Sequence, residues 1–399
     1  STYQFLLTIL DKAQGITILA GRQAWAPTSN GAMIPVPFPM PNFVQRRTCW
    51  QVNLAQANLK LSEPDLDAVS DRFRLTPDQI ANALTTAHNQ ARWRVAQALL
   101  EKPIESTQIS LNDLFTAARA QSGHDLTGLA RKIQPRHHWN EIILPSEQLT
   151  LLRELCNQVK YHQIVCGEWG FDRKLSLGKG ISVLFSGSPG TGKTMAAEVI
   201  ANELQLDLYK IDLSQIVSKY IGETEKNLDR IFTIAENANA ILLFDEADAL
   251  FGKRSEVKDA HDRYANIEIA YLLQKMEEYE GITILTTNLR QNLDEAFIRR
   301  VRFIIEFPIP DADYRLQIWR GIWPKETPLA ADVDLQRIAQ QFQLVGGNIR
   351  NIALAAAFLA AGNGEKIGMK HLLQATKREF QKMGRLVNEE EFLKLESRV

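Results

Sequence analysis

The sequence is poor in cysteine. Only Cys49, Cys156 and Cys166 occur among 399 residues, widely spaced and odd in number. That argues against a disulfide framework and a cysteine-built metal site, and it fits a reducing compartment, so a cytoplasmic location is expected. A charge excess is also missing: Lys and Arg total 46 against 47 Asp and Glu, a formal net charge of −1. Bulk binding to nucleic acid or a membrane surface usually needs a basic excess, so neither partner is expected. No apolar run reaches the ~20 residues that span a bilayer. The first residues, Ser1-Thr2-Tyr3-Gln4-Phe5-Leu6-Leu7, do not read as a signal peptide. There is no initiator Met either, which reads as a fragment or a processed product. What is present is 45% hydrophobic and 23% charged, ordinary for folded domains. At roughly 100–200 residues per domain the length leaves room for two to four of them.

A weak internal duplication sets the organisation. Phe5-Leu6-Leu7 and Gly15-Ile16-Thr17-Ile18-Leu19 resemble Tyr271-Leu272-Leu273 and Gly281-Ile282-Thr283-Ile284-Leu285 at one constant spacing. Phe38-Pro39-Met40-Pro41-Asn42 then matches Phe307-Pro308-Ile309-Pro310-Asp311, and Trp50 matches Trp319. Without a further gap, Asp65-Leu66, Phe73, Leu75, Ile80 and Asn82 match Asp334-Leu335, Phe342, Leu344, Ile349 and Asn351. Ile109, Leu114 and Ala117 line up with Ile367, Leu372 and Ala375. A period of ~270 residues is too long for a solenoid and reads as two copies of one large module, the first entering near its last strand.

The chain is therefore expected to divide into four parts. Residues 1–120 are the C-terminal part of the first module, and the long segment from Asp65 to Leu100 has helical periodicity. Residues 121–140, with Gly123, Gly128 and Pro135, read as a linker. Residues 141–307 alternate short apolar runs (Ile181–Phe185, Leu208–Ile211, Ala240–Phe244, Ile282–Thr286, Phe303–Phe307) with helical stretches. That pattern implies an α/β domain with a five-stranded parallel sheet and helices on both faces. Residues 308–399 carry a helix-rich second domain and the C-terminal tail.

The chemistry lies after the first of those strands. Val183-Leu184-Phe185 runs into Gly187-Ser188-Pro189-Gly190-Thr191-Gly192-Lys193-Thr194, and a helix continues from Met195. Strand, glycine loop and helix in this order form a phosphate cradle: the glycines let successive backbone N–H groups point at the β- and γ-phosphates, at a helix N-terminus. Lys193 supplies a point charge and Thr194 a hydroxyl for Mg²⁺. A second element, Ile241-Leu242-Leu243-Phe244-Asp245-Glu246, delivers two carboxylates at the C-terminal end of a strand, where open α/β sheets bind ligands. Asp245 suits the shell of Mg²⁺, and Glu246 suits polarising an attacking water.

Together with Asn288, the Leu293–Arg300 stretch and the Gly346–Arg350 stretch, these residues resemble the AAA+ superfamily, and within it the AAA branch, over about residues 139–380. The resemblance implies a P-loop AAA+ module: the α/β domain plus a C-terminal helical lid, binding ATP and Mg²⁺ and hydrolysing ATP. It implies that Asn288 helps place the lytic water. Leu293-Asp294-Glu295-Ala296-Phe297-Ile298-Arg299-Arg300 resembles the segment in which arginines reach the γ-phosphate of a neighbouring subunit, so Arg299 and Arg300 imply a homo-oligomeric ring, a hexamer. Gly346-Gly347-Asn348-Ile349-Arg350 matches the sensor-2 region, with Gly347 near the nucleotide and Arg350 able to contact phosphates in cis. AAA-branch members often carry a small residue where Arg350 stands. Met195 in the P-loop helix and Ile142, beside the adenine, complete the implied nucleotide contacts. Lys219, Tyr220 and Ile221 resemble the first pore loop, which grips an extended polypeptide, and the charged stretch 252–261 falls where a second would.

The first copy carries Arg22, Asn30, Gly31 and Ala81 where the second has Asn288, Arg299, Arg300 and Arg350. It keeps the apolar skeleton without the catalytic side chains and reads as a degenerate AAA+ module used as scaffold. Within the superfamily the chain most resembles the AAA+ ATPase of phage-tail-like contractile injection systems. The shared stretches are Ser218-Lys219-Tyr220-Ile221-Gly222-Glu223-Thr224-Glu225, Gly346 to Asn351, and Asp71-Arg72-Phe73-Arg74-Leu75-Thr76-Pro77. The implied function is an ATP-driven ring that remodels a protein threaded or pulled through its pore. A nucleic-acid motor or loader and a nucleotide-dependent scaffold are the alternatives. His137-His138 has no ligand partner at metal spacing, Glu277-Glu278-Tyr279-Glu280 reads as an exposed helix end, and Trp319 and Trp323 read as packing.

Overall fold

The computed structural model describes residues 18, 34, 36–98, 109–122, 130–174, 180–213, 223–238, 240–247, 270–288 and 298–385. Residues 1–41 and 42–399 are separate units, and the helices and strands named below belong to the second.

The second unit starts with helices α1 (Phe43–Gln56), α2 (Glu63–Arg72), α3 (Pro77–Ala98) and α4 (Leu111–Ser122). The segment from Asp65 to Leu100, expected to be helical from its periodicity, is two helices with a break at 73–76. Pro77 is the cause: it lacks an N–H and suits the first position of a helix, and the residue before it is pushed out of helical geometry. Thr76 caps the new start, accepting from the Gln79 N–H at 3.3 Å while Gln79 Oε1 accepts from the Thr76 N–H at 2.9 Å.

The α/β part contains β1 (Arg131–Ile133), α5 (Ser146–Lys160), β2 (Ile181–Ser186), α6 (Lys193–Leu204), β3 (Leu208–Asp212), α7 (Glu223–Ala238), β4 (Ile241–Asp245), β5 (Ile282–Thr287) and β6 (Phe303–Glu306). The sheet has six strands in the order β1-β3-β4-β5-β2-β6. Five are parallel, as the apolar runs predict. The sixth, β1, is antiparallel to β3 and lies in the segment read as linker. One apolar layer joins α5 and α6 to the sheet, and a second joins α7 and the 270–278 helix to it, so helices cover both faces. Tyr279, expected at an exposed helix end, is 3% exposed and donates its hydroxyl to Ala240 O at 2.5 Å.

The C-terminal helices are α8 (Ala312–Gly321), α9 (Leu335–Gln341), α10 (Gly346–Gly362) and α11 (Met369–Lys382). They pack around Trp319, Phe342, Leu344 and Ile349. The N-terminal four pack around Trp50, Phe73, Leu75 and Ile80, the matching positions. The likeness extends to polar groups. Asn42 and Asp311 cap α1 and α8. Inside each group a buried arginine donates from Nε to a backbone carbonyl, Arg46 to Ser70 at 2.8 Å and Arg315 to Ala339 at 2.7 Å.

The N-terminal helices sit against the strand-start edge of the sheet, opposite the glycine loop. Arg72 donates to Leu204 O at 3.2 Å, and Arg119 donates to Gln205 Oε1 at 2.8 Å. Arg74 pairs with Glu236 at 3.2 Å and also with Glu280. The buried Asp207 joins Lys132 of β1, at 2.6 Å, to Arg119, at 3.8 Å. No helix among the described residues is long and apolar enough to cross a membrane.

Candidate nucleotide site

The strands β2, β4 and β5 lie side by side, so their carboxyl ends bring three sequence-distant segments together. The loop after β2 is held by its own hydrogen bonds: Gly187 N–H donates to Thr287 O at 3.2 Å, and Thr191 Oγ1 donates to Ser188 O at 2.8 Å. Gly187, Gly190 and Gly192 all have positive φ, at 146°, 80° and 102°, a region side chains other than glycine rarely enter. Gly187 is constrained further, because an added Cβ would collide with the Phe307 carbonyl oxygen.

Lys193 is 8% exposed and turns back into the loop. Its ammonium donates to Gly187 O at 2.5 Å, Ser188 O at 3.1 Å and Asn288 Oδ1 at 2.9 Å. All three of these acceptors are neutral oxygens. Asn288 is thereby brought to the phosphate loop from the end of β5.

Two helices begin at this loop without a side-chain cap. The N-cap of α6 is Gly192 and that of α10 is Val345. The Gly347 N–H of α10 donates to Gly190 O at 2.9 Å, which fastens the helical domain to the loop tip. Arg350 is exposed, three residues further along α10 and so near the face that carries Gly347.

Asp245 ends β4 half-buried. Its Oδ1 accepts from the Thr286 hydroxyl and its Oδ2 pairs with the Lys210 ammonium. Burial alone would raise this carboxyl's pKa, but the bonds from Lys210 and Thr286, with the Glu246 backbone N–H, outweigh it and hold it below the usual carboxylate range. Glu246 is exposed, with φ at 56°. A left-handed glutamate is a strained backbone, and such strain clusters where a side chain must be aimed.

The donor set fits a polyphosphate with a divalent cation. Open amides, a lysine ammonium and a loop too tight for side chains suit phosphate oxygens. Thr194 and Asp245 offer two oxygen ligands for a hard cation. Among the described residues no group of three or more His, Cys, Asp or Glu side chains could hold a metal; phosphate oxygens and water are suitable further ligands for a hard cation.

The remaining expected residues fall into four groups. Ser188, Pro189 and Thr194 lie in or directly after the glycine loop, and Met195 stands in the first turn of α6. Ile142 is 6% exposed within the apolar layer beneath α5 and α6, and the neighbouring Ile143 approaches Gly321 of the helical domain. Arg299 and Arg300 are exposed just before β6, and Arg300 Nε pairs with Glu277 at 3.2 Å. Lys219, Tyr220, Ile221 and the stretch 252–261 lie outside the described residues. Sequence reasoning passed over Lys210 and Thr286. Their signal was a polar residue inside an otherwise apolar run next to the Asp245 strand.

Two family profiles match the chain. The one described as ATPase family associated with various cellular activities (AAA) matches residues 183–310. The one described as contractile injection system ATPase helical domain matches residues 42–124. A proteasome-activating nucleotidase of Aeropyrum pernix is 32% identical over 61% of this chain and 56% of its own length. An uncharacterized AAA family ATPase of Sinorhizobium fredii is 29% identical over 60% of this chain and 70% of its own. A cell division cycle protein 48 homolog of Archaeoglobus fulgidus is 37% identical over 45% of this chain and 25% of its own. The chain thus spans only about half of the first of these relatives.

Proposed function

The chain carries an AAA ATPase domain joined to a contractile injection system ATPase helical domain, and from that premise we propose that it is an ATP-hydrolysing ring motor acting on a protein partner. The observation that carries the reading is the meeting of Lys193, Asn288 and the amide end of α10 at one glycine loop, with the Asp245-Glu246 pair at the carboxyl end of a strand of the same sheet, one strand away. In this reading Gly187 to Met195 hold the phosphates, and Lys193 lowers the cost of charge on the β- and γ-oxygens. Thr194 and Asp245 hold Mg²⁺, which when bound screens the phosphate charge. Glu246 orients and polarises the attacking water, and Asn288 helps to place it. Gly347 and Arg350 complete the site from the helical domain, and Ile142 belongs to the adenine side.

Arg299 and Arg300 act on the site of the next subunit, which makes the working form a closed ring, a hexamer, built from head-to-tail contacts. Their exposure ahead of β6 supports that role. Lys219, Tyr220 and Ile221 grip the partner polypeptide. The partner is a protein of a contractile injection system, to be unfolded, assembled or taken apart, in the cytoplasm and without nucleic acid. The helical-domain match and the relative named as a proteasome-activating nucleotidase support the choice of a protein partner. Residues 1–120 are the last strands and lid of a degenerate AAA+ module; the paired Trp50 and Trp319, and the paired Arg46 and Arg315, support this.

The test is a pair of variants. Glu246→Gln keeps ATP binding, lowers turnover by roughly 10²–10⁴-fold, and retains the partner for identification. Arg299→Ala with Arg300→Ala lowers turnover by roughly 10³-fold or more while nucleotide still binds. Hydrolysis by a strict monomer, at a rate this double variant does not change, would remove the ring from the mechanism.

A further inference from the structure

Lys210 sits in the middle of β3 between the buried Tyr209 and Ile211. In the β3–β4 register Lys210 stands opposite Leu243 and Asp212 opposite Asp245. Alternation places Lys210 and Asp212 on one face of the strand, so the lysine lies one step back from the aspartate along the sheet. Its stem bridges that step and brings the ammonium to Asp245 Oδ2, while Thr286 occupies Oδ1. Both oxygens of the carboxylate therefore have a partner supplied by the neighbouring strands. The side chains of Lys210 and Asp245 remain 36% and 26% exposed. The pair is shielded enough to form and open enough for the flexible lysine stem to swing away.

Asp245 is also the carboxylate that the proposed function assigns to a divalent cation. A carboxylate oxygen that accepts an ammonium is less available to a metal, because the two positive charges repel and compete for the same lone pairs. No step of the proposed hydrolysis uses Lys210. We propose that Lys210 is a tethered counter-ion that competes with the divalent cation for Asp245, and so sets how much Mg²⁺ the bound nucleotide requires. The inference rests on the proposed nucleotide site, and it makes Lys210 a positioning residue, since it acts through Asp245.

The test uses the full chain in a Glu246→Gln background, so that turnover does not intervene. Mn²⁺ serves as the probe, with its binding in the presence of ATP followed by electron paramagnetic resonance. Nucleotide affinity in excess chelator is measured in parallel. Lys210→Met and Lys210→Gln should each lower the half-saturating Mn²⁺ concentration by roughly two- to fivefold, the range set by a partly exposed ion pair. Lys210→Arg, which keeps the charge, should behave as the parent. ATP affinity in chelator should change less than twofold in all three. An unchanged or raised Mn²⁺ requirement in both Met and Gln variants would overturn the proposal, the raised value meaning that Lys210 supports the metal-bound form instead. The Gln variant keeps a polar head and decides the matter if the Met variant unfolds. If the parent itself binds no ATP, the site assignment has failed, and that failure is seen before Lys210 is tested.

Discussion

Alanine at Gly187 and alanine at Gly192 should have clearly different effects, although both residues belong to one loop and both have positive φ. At Gly192 nothing lies within 4 Å of an added Cβ, so the cost is that of the backbone conformation alone, about 1–3 kcal/mol. At Gly187, with φ at 146°, the same backbone cost applies, and the new Cβ also collides with Phe307 O and lies 3.0 Å from Phe307 Cβ. Phe307 has little room to yield. It is 1% exposed, its N–H donates to Ser186 O at 2.7 Å, and its ring packs on Phe185 at a 5.0 Å centroid distance. Forcing an extra carbon into such packing adds about 1–3 kcal/mol, for a total of about 2–6 kcal/mol. Relaxation of the loop in the free protein would have to be reversed on binding, so the added part reappears as lost affinity, roughly tenfold for each 1.4 kcal/mol. Calorimetric melting and titration with a fluorescent ATP analogue read the two effects. Gly187→Ala should melt several degrees below Gly192→Ala and bind about tenfold more weakly or worse. A Gly192 variant as damaged as the Gly187 variant would refute the reasoning, since it would mean that contact with Phe307 does not decide the loop's shape.

The paired helical groups give two further outcomes. Arg46→Met and Arg315→Met each leave a buried carbonyl, Ser70 O and Ala339 O, without its donor, and each should cost about 1–3 kcal/mol by denaturant unfolding. In the N-terminal group Asp113 carries a pH dependence. Burial would raise its carboxyl, but Arg94 at 2.7 and 2.9 Å and the Ser110 N–H and hydroxyl lower it below the ordinary carboxylate range. A depressed acid stabilises fully above its unfolded pKa, about 3.9, and loses that contribution as pH falls through the lower folded value. Melting temperature measured from pH 7 down to pH 3 should therefore fall less steeply for Asp113→Asn than for the parent.

Much of this fold was legible because its strands are apolar runs buried on both faces, and the glycine loop declares itself by spacing. Each of the five runs is a strand of the sheet. The strand β1 was not legible, for a physical reason. Arg131-Lys132-Ile133 is three residues long and mostly exposed, and Gly and Pro surround it. It exists as a strand because Ile133 and its neighbours pair with Leu208, Tyr209 and Lys210, a tertiary event without a local pattern. The break before Pro77 was legible and was outweighed by periodicity that continues in phase on both sides of it. Within the site, strand-end carboxylates advertise themselves, but their partners do not. Lys210 and Thr286 matter only because β3 and β5 flank β4, and strand order is not written in any one segment.

The two helical groups diverge at the start of one helix. The helix α3 and the helix α10 occupy matching positions, and their buried faces agree at Ile80 and Ile349, Ala87 and Ala356, Ala91 and Ala360. Their first turns differ. In α3 the start is closed by Thr76 and Gln79, each bonding the backbone of the other. In α10 the position of Thr76 is held by Val345, which cannot cap, and Gly347 gives its amide to the glycine loop. A capped helix start has fewer amides to offer a phosphate, and one without a cap must find partners for them elsewhere. The same divergence appears one turn later, where Arg350 is exposed and its counterpart is Ala81. Packing constrains the apolar face in both helical groups, because removing a buried side chain costs stability wherever it sits. Only the helical group next to the glycine loop gains from an uncapped helix start, so a Thr-Pro opening against a Val-Gly-Gly opening is the short sequence difference on which the scaffold reading and the nucleotide reading divide.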